Sequence, residues 1–414
     1  MIFVPTIKSR NKFVNRKRFS LLCNIIHPLI GKVINMKIVL AIDSFKGCLT
    51  SIEVENIISN ELKNILPNCN ISSIPIADGG EATLSTISQN IKINTHYIYA
   101  HNPCMEIIKT QYGISEDGEN AFIEMANVSG LTLIKESQKH PMETTSFGSG
   151  ELIRDALDRG CSNFIIGIGG SATNDAGTGL LQALGFRFYD KKGDLLGHGG
   201  KILHEIANID SSAIHTILKD AHFTIACDVN NPFCGPNGAS YIFARQKGAD
   251  DDMIQALDKG MLHFAQIIHK NTGKDIKSIP GSGAAGGIGG GMLAFLNCEL
   301  KKGAKILLDI SEFHHKTIDA NLIITGEGKI DKQTLMGKIP YHILQEGIKK
   351  RIPVIAIAGK VEDKQDLIQA GFKAIYQITP DFMNLEEAIK PEVVTKNIQK
   401  VVNNLASTYL KSFI

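Results

Sequence analysis

From Met36 onward, short β-branched runs alternate with stretches whose apolar residues recur at helical spacing, a rhythm that restricts the chain to β-α-β units around a largely parallel sheet. Lys37–Ile42 is expected as a strand, and Ser51–Leu66 as a helix carrying Ile52, Ile57, Ile58, Leu62, Ile65 and Leu66. Ile71–Ala77 reads as the next strand and Ala82–Gln89 as a helix. Near Thr95 the rhythm breaks into polar, turn-divided segments (Tyr97–Tyr99, Lys109–Ile114, Ala121–Met125) of the kind that pair antiparallel. Helical rhythm returns at Gly150–Arg159, followed by the strands Asn163–Ile168, Phe186–Tyr189 and Phe223–Cys227 and the helix Met253–Lys270, and parallel units return after Gly291 with the strands Asn321–Thr325 and Pro353–Ala358. A chain of 414 residues exceeds what one core usually organises, so two domains are expected. The likeness of the last units to the first suggests that one domain is assembled from both ends.

Bulk properties exclude several classes. No apolar run is long enough to span a bilayer, which argues against a membrane enzyme. The first 35 residues hold seven Lys or Arg and no acid, leaving 37 basic against 42 acidic residues in the remainder. That mildly acidic body makes nucleic acid a poor partner. Residues 1–35 are expected to be disordered or non-native, with Met36 as the true start. A targeting segment is the alternative reading, but Asn24, His27 and Pro28 interrupt its apolar part. The eight cysteines form no C-x-x-C pair or zinc-spaced cluster, which fits reduced thiols in a cytoplasmic protein.

In open parallel sheets ligands bind beyond the carboxyl ends of the strands. There the chain repeatedly places acids and glycines: Asp43-Ser44-Phe45-Lys46-Gly47, Asp78-Gly79-Gly80-Glu81, Gly169-Gly170-Ser171-Ala172-Thr173-Asn174-Asp175, Asp228-Val229-Asn230-Asn231-Pro232, and Gly326-Glu327-Gly328-Lys329-Ile330-Asp331. One Asp after a strand is usually a turn former or helix cap. Five such loops at one edge point instead to phosphoryl transfer, which needs backbone donors, cations for phosphate and carboxylates for metal or for a hydroxyl proton. The P-loop G-x-x-x-x-G-K-[ST] is absent, as are the protein-kinase H-R-D and D-F-G signatures.

Gly281–Gly291 holds seven glycines in eleven positions before the apolar run Met292–Leu296, and reads as a loop presenting backbone N–H groups at a helix start. Tight inter-domain packing or a hinge is the plainer reading of the same glycines. Lys247, in Gln246-Lys247-Gly248-Ala249, offers a cation in a short turn, where an isolated lysine is often only solvated surface. Gly167-Ile168-Gly169-Gly170-Ser171-Ala172 with Asp190 mimics a dinucleotide fingerprint. Against it, Thr173–Gly179 is a poor helix former, and Asp175 would put negative charge near a pyrophosphate. A module that binds a phosphorylated effector without turnover is the remaining alternative.

These motifs together, in this order, resemble the bacterial glycerate kinase family (D-glycerate kinase, type I). The resemblance runs from Met36 almost to the end. It is carried by Lys37–Lys46, Pro75–Glu81, Ala121–Ala126, Thr145–Leu152, Gly167–Asp175, Ala226–Pro232, Gln246–Ala249, Gly283–Gly287 and Ile324–Asp331. Ile42, Ala82 and Ala176 depart from the usual Pro, Gly and Gly without removing a charge.

The resemblance implies ATP-dependent phosphorylation of D-glycerate at its 2- or 3-hydroxyl, with Mg²⁺, in a cleft between two α/β domains of a monomer or homodimer. The expected fold is a Rossmann/flavodoxin-like parallel-sheet domain from residues 36–95 plus 290–414, with a mixed-sheet α/β domain, 96–289, inserted. Asp78 or Asp175 is expected to take the hydroxyl proton. Lys46 and Lys247 would neutralise phosphate or substrate carboxylate. Asp43, Asp228, Glu327 or Asp331 would hold Mg²⁺. Ser44, Gly79, Gly80, Glu81, Gly169, Gly170, Ser171, Thr173, Asn174, Asn230, Gly283, Gly286, Gly287 and Gly326 would contact substrate or nucleotide.

Overall fold

The computed structural model describes residues 36–45, 47–76, 87–88 and 91–410. The leader 1–35, Lys46, the Asp78–Glu81 loop, the end of the strand expected to reach Ala77 and nearly all of the helix expected over 82–89 lie outside them.

Strand β1 (Lys37–Ile42) is buried almost throughout, the mark of a strand covered on both faces. Helix α1 (Ser51–Ile65) follows, started by a capping box in which the Thr50 hydroxyl accepts from the Glu53 N–H and the Glu53 carboxylate accepts from the Thr50 N–H. Strand β2 is shorter than its apolar run suggested, Asn70–Ser73, because pairing with β1 stops at Ser73. Together with β11 (Leu322–Ile330), β12 (Val354–Val361) and β13 (Ala374–Gln377) these form a five-stranded, all-parallel sheet in the order β13-β12-β11-β1-β2. Helix α1 packs on one face with the C-terminal helix Pro391–Thr408, through Val54, Ile58, Leu62, Ile398 and Val402.

The second sheet is mixed. Its order is β10-β9-β6-β5-β4-β3, from β3 (Ile93–His101), β4 (Ile107–Ser115), β5 (Asn120–Glu124), β6 (Asn163–Gly167), β9 (His222–Ala226) and β10 (Cys298–Lys301); β7 (Arg187–Tyr189) and β8 (Asn208–Asp210) form a separate ribbon. The β3-β4-β5 pairs are antiparallel and the others parallel. Phe122 and Ile165 of this sheet join Ile74, Ile76, Ala304 and Leu307 in one apolar cluster, so the two sheets pack against each other through it. The chain changes sheet between Ser73 and Ile93 and again between Lys301 and Leu322; positions 95/96 and 289/290 therefore fall inside β3 and inside the helix Ala284–Phe295. No helix of the described residues is long and apolar enough to cross a membrane.

Candidate active site

Two sets of strand ends collect the charged residues. At the first sheet the winding reverses between β1 and β11: the chain passes from β1 to β2 on one side, while β11 leads to β12 and β13 on the other. Such a switch point opens a crevice. Asp43 sits at its lip, its N–H bonded to the Gly326 carbonyl at 2.9 Å and one carboxylate oxygen accepting from the Ser44 N–H at 2.6 Å. Gly326 lies within β11, where a Cβ would come 2.0 Å from the Ile357 carbonyl oxygen, so only glycine lets β12 approach. Pairing continues past it, which puts Glu327 on the strand and not beyond its end.

Glu327 is buried, and burial raises its pKa above the usual carboxylate range. Thr334 Oγ1 (2.7 Å) and Lys338 Nζ (3.3 Å) pull in the opposite direction, while the nearby Asp331 charge adds to the rise. Asp331 caps the turn Lys332–Met336 by accepting from the Gln333 N–H at 2.9 Å, and pairs with Lys329 at 3.3 Å. Lys329 also meets Glu362 at 2.9 Å, and Glu362 meets Lys360 at 3.0 Å. Glu327, Lys329, Lys338 and Lys360 open onto a cavity of 670 Å³, which Asp43 and Phe45 also line.

At the second sheet the loop that follows β6 is largely enclosed. After β6 the exposed Gly169 and Gly170 lead into a wholly buried run, 171–180. Asp175 accepts from the Ser146 N–H and hydroxyl (both 2.8 Å), Thr145 Oγ1 (3.4 Å), and the Gly177 and Gly179 N–H groups (3.2 and 3.3 Å). All five of these donors belong to the protein itself. Lys247 is equally enclosed, donating to Ser171 Oγ at 2.9 Å and the Thr173 carbonyl at 2.6 Å. Burial pushes its pKa down to about 7, with Asp175 pulling it back up. The surface-lysine alternative is thereby set aside. Asn174 donates to Ser240 Oγ at 3.2 Å, while its own Oδ1 and Thr173 Oγ1 are buried without a hydrogen-bond partner.

The glycine-rich stretch is a packing element. Left-handed backbone at Ala285, Gly286 and Gly287 kinks the chain before it runs on as a helix to Phe295, and Gly283, Gly286 and Gly287 are buried. A Cβ on Gly286 would stand 2.1 Å from the Thr173 carbonyl oxygen, and this residue has φ +69°. The Gly283 N–H goes to the Asn231 carbonyl and that of Gly287 to the Gly283 carbonyl, so neither is presented to a ligand. The stretch buttresses the 173–176 loop from behind, as the plainer reading of its glycines had it.

Of the acids expected to hold Mg²⁺, Asp43 and Glu327 line the same cavity and Asp331 lies close enough to Glu327 to raise its pKa. Among the described residues no group of three or more His, Cys, Asp or Glu side chains forms a metal cage. Asp228, beyond β9, accepts from the Gly303 N–H at 3.1 Å, and Lys302 holds its carbonyl and the Asn230 side chain. Glu327 and Asp331, four positions apart, remain as a pair of hard oxygen donors suited to a cation that arrives with most of its shell supplied by phosphates and water.

Sequence reasoning passed over Lys338, Lys360, Thr334, Ser146 and Glu55. Glu55 is buried on α1, accepting from the Ile42 N–H at 3.0 Å, and its neighbour Ser51 bridges the Ile42 carbonyl (2.5 Å) and the Ile76 N–H (3.1 Å), directly behind Asp43. Its place on the apolar stripe with Ile58 and Leu62 was the available signal.

The profile of the Glycerate kinase family matches residues 38–410. A "Glycerate 2-kinase" of Escherichia coli K12 is 42% identical over 374 residues, covering 90% of this chain and 98% of that protein. A "Glycerate kinase" of Halalkalibacterium halodurans is 40% identical over 354 residues, covering 85% and 93%. A crystal structure of a protein assigned as glycerate kinase 2, from Salmonella typhimurium LT2, superposes with a TM-score of 0.79 at 39% identity over 91% of this chain and 98% of that one.

Proposed function

The chain belongs to the glycerate kinase family and is a kinase, and on that premise we propose that it transfers the γ-phosphoryl group of ATP to the 2-hydroxyl of D-glycerate in the cleft between the two sheet-bearing units. The single observation that carries the reading is the gathering of Asp43, Glu327, Lys329, Lys338 and Lys360 around one cavity at the switch point of the first sheet. Phosphoryl transfer asks little covalent chemistry of a protein; it asks for cations against phosphate and a carboxylate for the hydroxyl proton. The choice of the 2-hydroxyl follows the name carried by the E. coli relative. The parallel-sheet unit, assembled from both chain ends, and the mixed-sheet unit between them act as two domains in this reading.

Asp78 is the proposed base, since Asp175 is committed to its five donors. Asp175 and Lys247 instead fix the loop whose exposed tip, Gly169-Gly170, would present backbone N–H groups to the glycerate carboxylate. Lys46 and Lys338 are the proposed phosphate partners. Glu327 and Asp331 would hold Mg²⁺ carried by ATP, which when bound neutralises charge on the phosphate oxygens. The free thiols at Cys48, Cys69, Cys104, Cys161, Cys227, Cys234 and Cys298 accord with a cytoplasmic enzyme.

A coupled assay of ADP release tests the proposal. ADP is expected to appear from ATP only when D-glycerate is present; release that ignores D-glycerate, or no release at all, would overturn it.

A further inference from the structure

Resting on the kinase reading, we infer that the 670 Å³ cavity is the nucleotide subsite, with the base on an apolar wall contributed by the C-terminal part of the chain and the polyphosphate directed at the lysines of β11, β12 and Lys338. The volume lies in the range of sites that enclose a ligand of this size.

The cavity's lining is of two kinds. Ile378, Pro380, Met383, Ile389 and Val394 are apolar, while Asp43, Glu327, Lys329, Lys338, Lys360 and Asp381 are charged. A nucleoside triphosphate has the same division, a flat base that gains from leaving water and a polyanionic tail that needs cations.

The cationic lining is built for exchange. Lys329 and Lys360 are 49% and 63% exposed, and both are paired with Glu362. Solvent-exposed pairs of this kind contribute little to folding and release a lysine to a better anion at small cost. Lys338, paired with Glu327, lines the same cavity as Asp43. The apolar lining is left partly wet without a ligand: Ile389 lines the cavity and keeps 39% of its surface in water.

Asp175 and Lys247 are enclosed by protein hydrogen bonds. A nucleotide on the first sheet leaves the Gly169-Gly170 tip for the small acceptor.

The test is calorimetric titration of ADP in the absence of D-glycerate, followed by steady-state kinetics, on the wild type, Ile389→Glu and Lys360→Glu. Both substitutions are at exposed positions, and unfolding curves check that each variant is folded. ADP is expected to bind the wild type and to bind each variant about tenfold or more weakly, with the KM for ATP rising in parallel and the KM for D-glycerate unchanged. Wild-type affinity for ADP in both variants, a shift confined to the D-glycerate KM, or no ADP binding by the wild type would overturn the inference. The outcomes separate it from the parent reading. ADP binding lost in the variants of a protein that phosphorylates no D-glycerate would sink the glycerate assignment alone; an active enzyme indifferent to both substitutions would sink only the subsite.

Discussion

The carboxyl ends of the two sheets hold similar residues and use them in opposite ways. At the first sheet, lysines and carboxylates meet in half-exposed pairs around open space: Lys329 with Asp331 and Glu362, Lys360 with Glu362, Lys338 with Glu327. At the second, one carboxylate and one lysine are buried, Asp175 accepting from five protein donors and Lys247 donating to two protein oxygens. The sealed pair was assembled during folding and holds its loop in one shape. The open pairs can trade partners when a charged ligand arrives. Substitutions at the sealed end should therefore cost stability first, and those at the open end should cost turnover first.

The largest effect is expected from Asp175→Ala. It strands the Ser146, Gly177 and Gly179 N–H groups in a dry interior, and urea unfolding should show a loss of roughly 3 kcal/mol or more. A loss of turnover with the unfolding midpoint intact would break the contrast. Next, Glu327→Gln should lower kcat by about 10- to 100-fold while leaving the midpoint nearly where it was. A stability loss as large as that of Asp175→Ala would make Glu327 another sealed group.

Lys247 sharpens the comparison through pH. Its folded pKa, about 7, lies below the ordinary lysine value, so the unfolded chain binds more protons between about pH 7 and 10. Its contribution to stability accordingly rises with pH across that window. The stability of the wild type relative to Lys247→Met should increase from pH 7 to pH 9; a gap that stays flat would mean the ammonium is solvated.

A further effect concerns a sealed group at the open end. Burial lifts Glu55 to about 8, so its favourable contribution is complete below the unfolded pKa near 4.5 and is lost as pH rises through 8. Glu55→Gln should match the wild type near pH 5 and exceed it by on the order of a few kcal/mol at pH 9. Equal curves at both pH values would show that Glu55 is charged throughout.

The strands and helices were readable where apolar spacing is strong, as in Lys37–Ile42 and Asp251–Thr272. Cys298–Lys301 was not, because a short edge strand with charged residues carries no β-branched signature. β11 seemed to stop at Thr325 since Gly326 and Gly328 look like turn residues, yet here glycine serves the approach of β12. The site was legible as a set of strand-end acids, but their roles were not. Whether Asp175 is a base or a structural anion depends on Thr145 and Ser146, about thirty residues upstream, and whether seven glycines donate N–H groups or make room depends on Thr173 and Phe233. Those partners meet only in the folded chain. Glu55 alone could have been found locally, from an acid on the buried stripe of a helix.

The central claim is tested most directly by phosphorus NMR of the product formed from ATP, Mg²⁺ and D-glycerate. The account predicts equal growth of ADP and of a single phosphomonoester coupled to the C2 proton of glycerate. An unchanged ATP spectrum, or ADP accompanied only by inorganic phosphate, would contradict it.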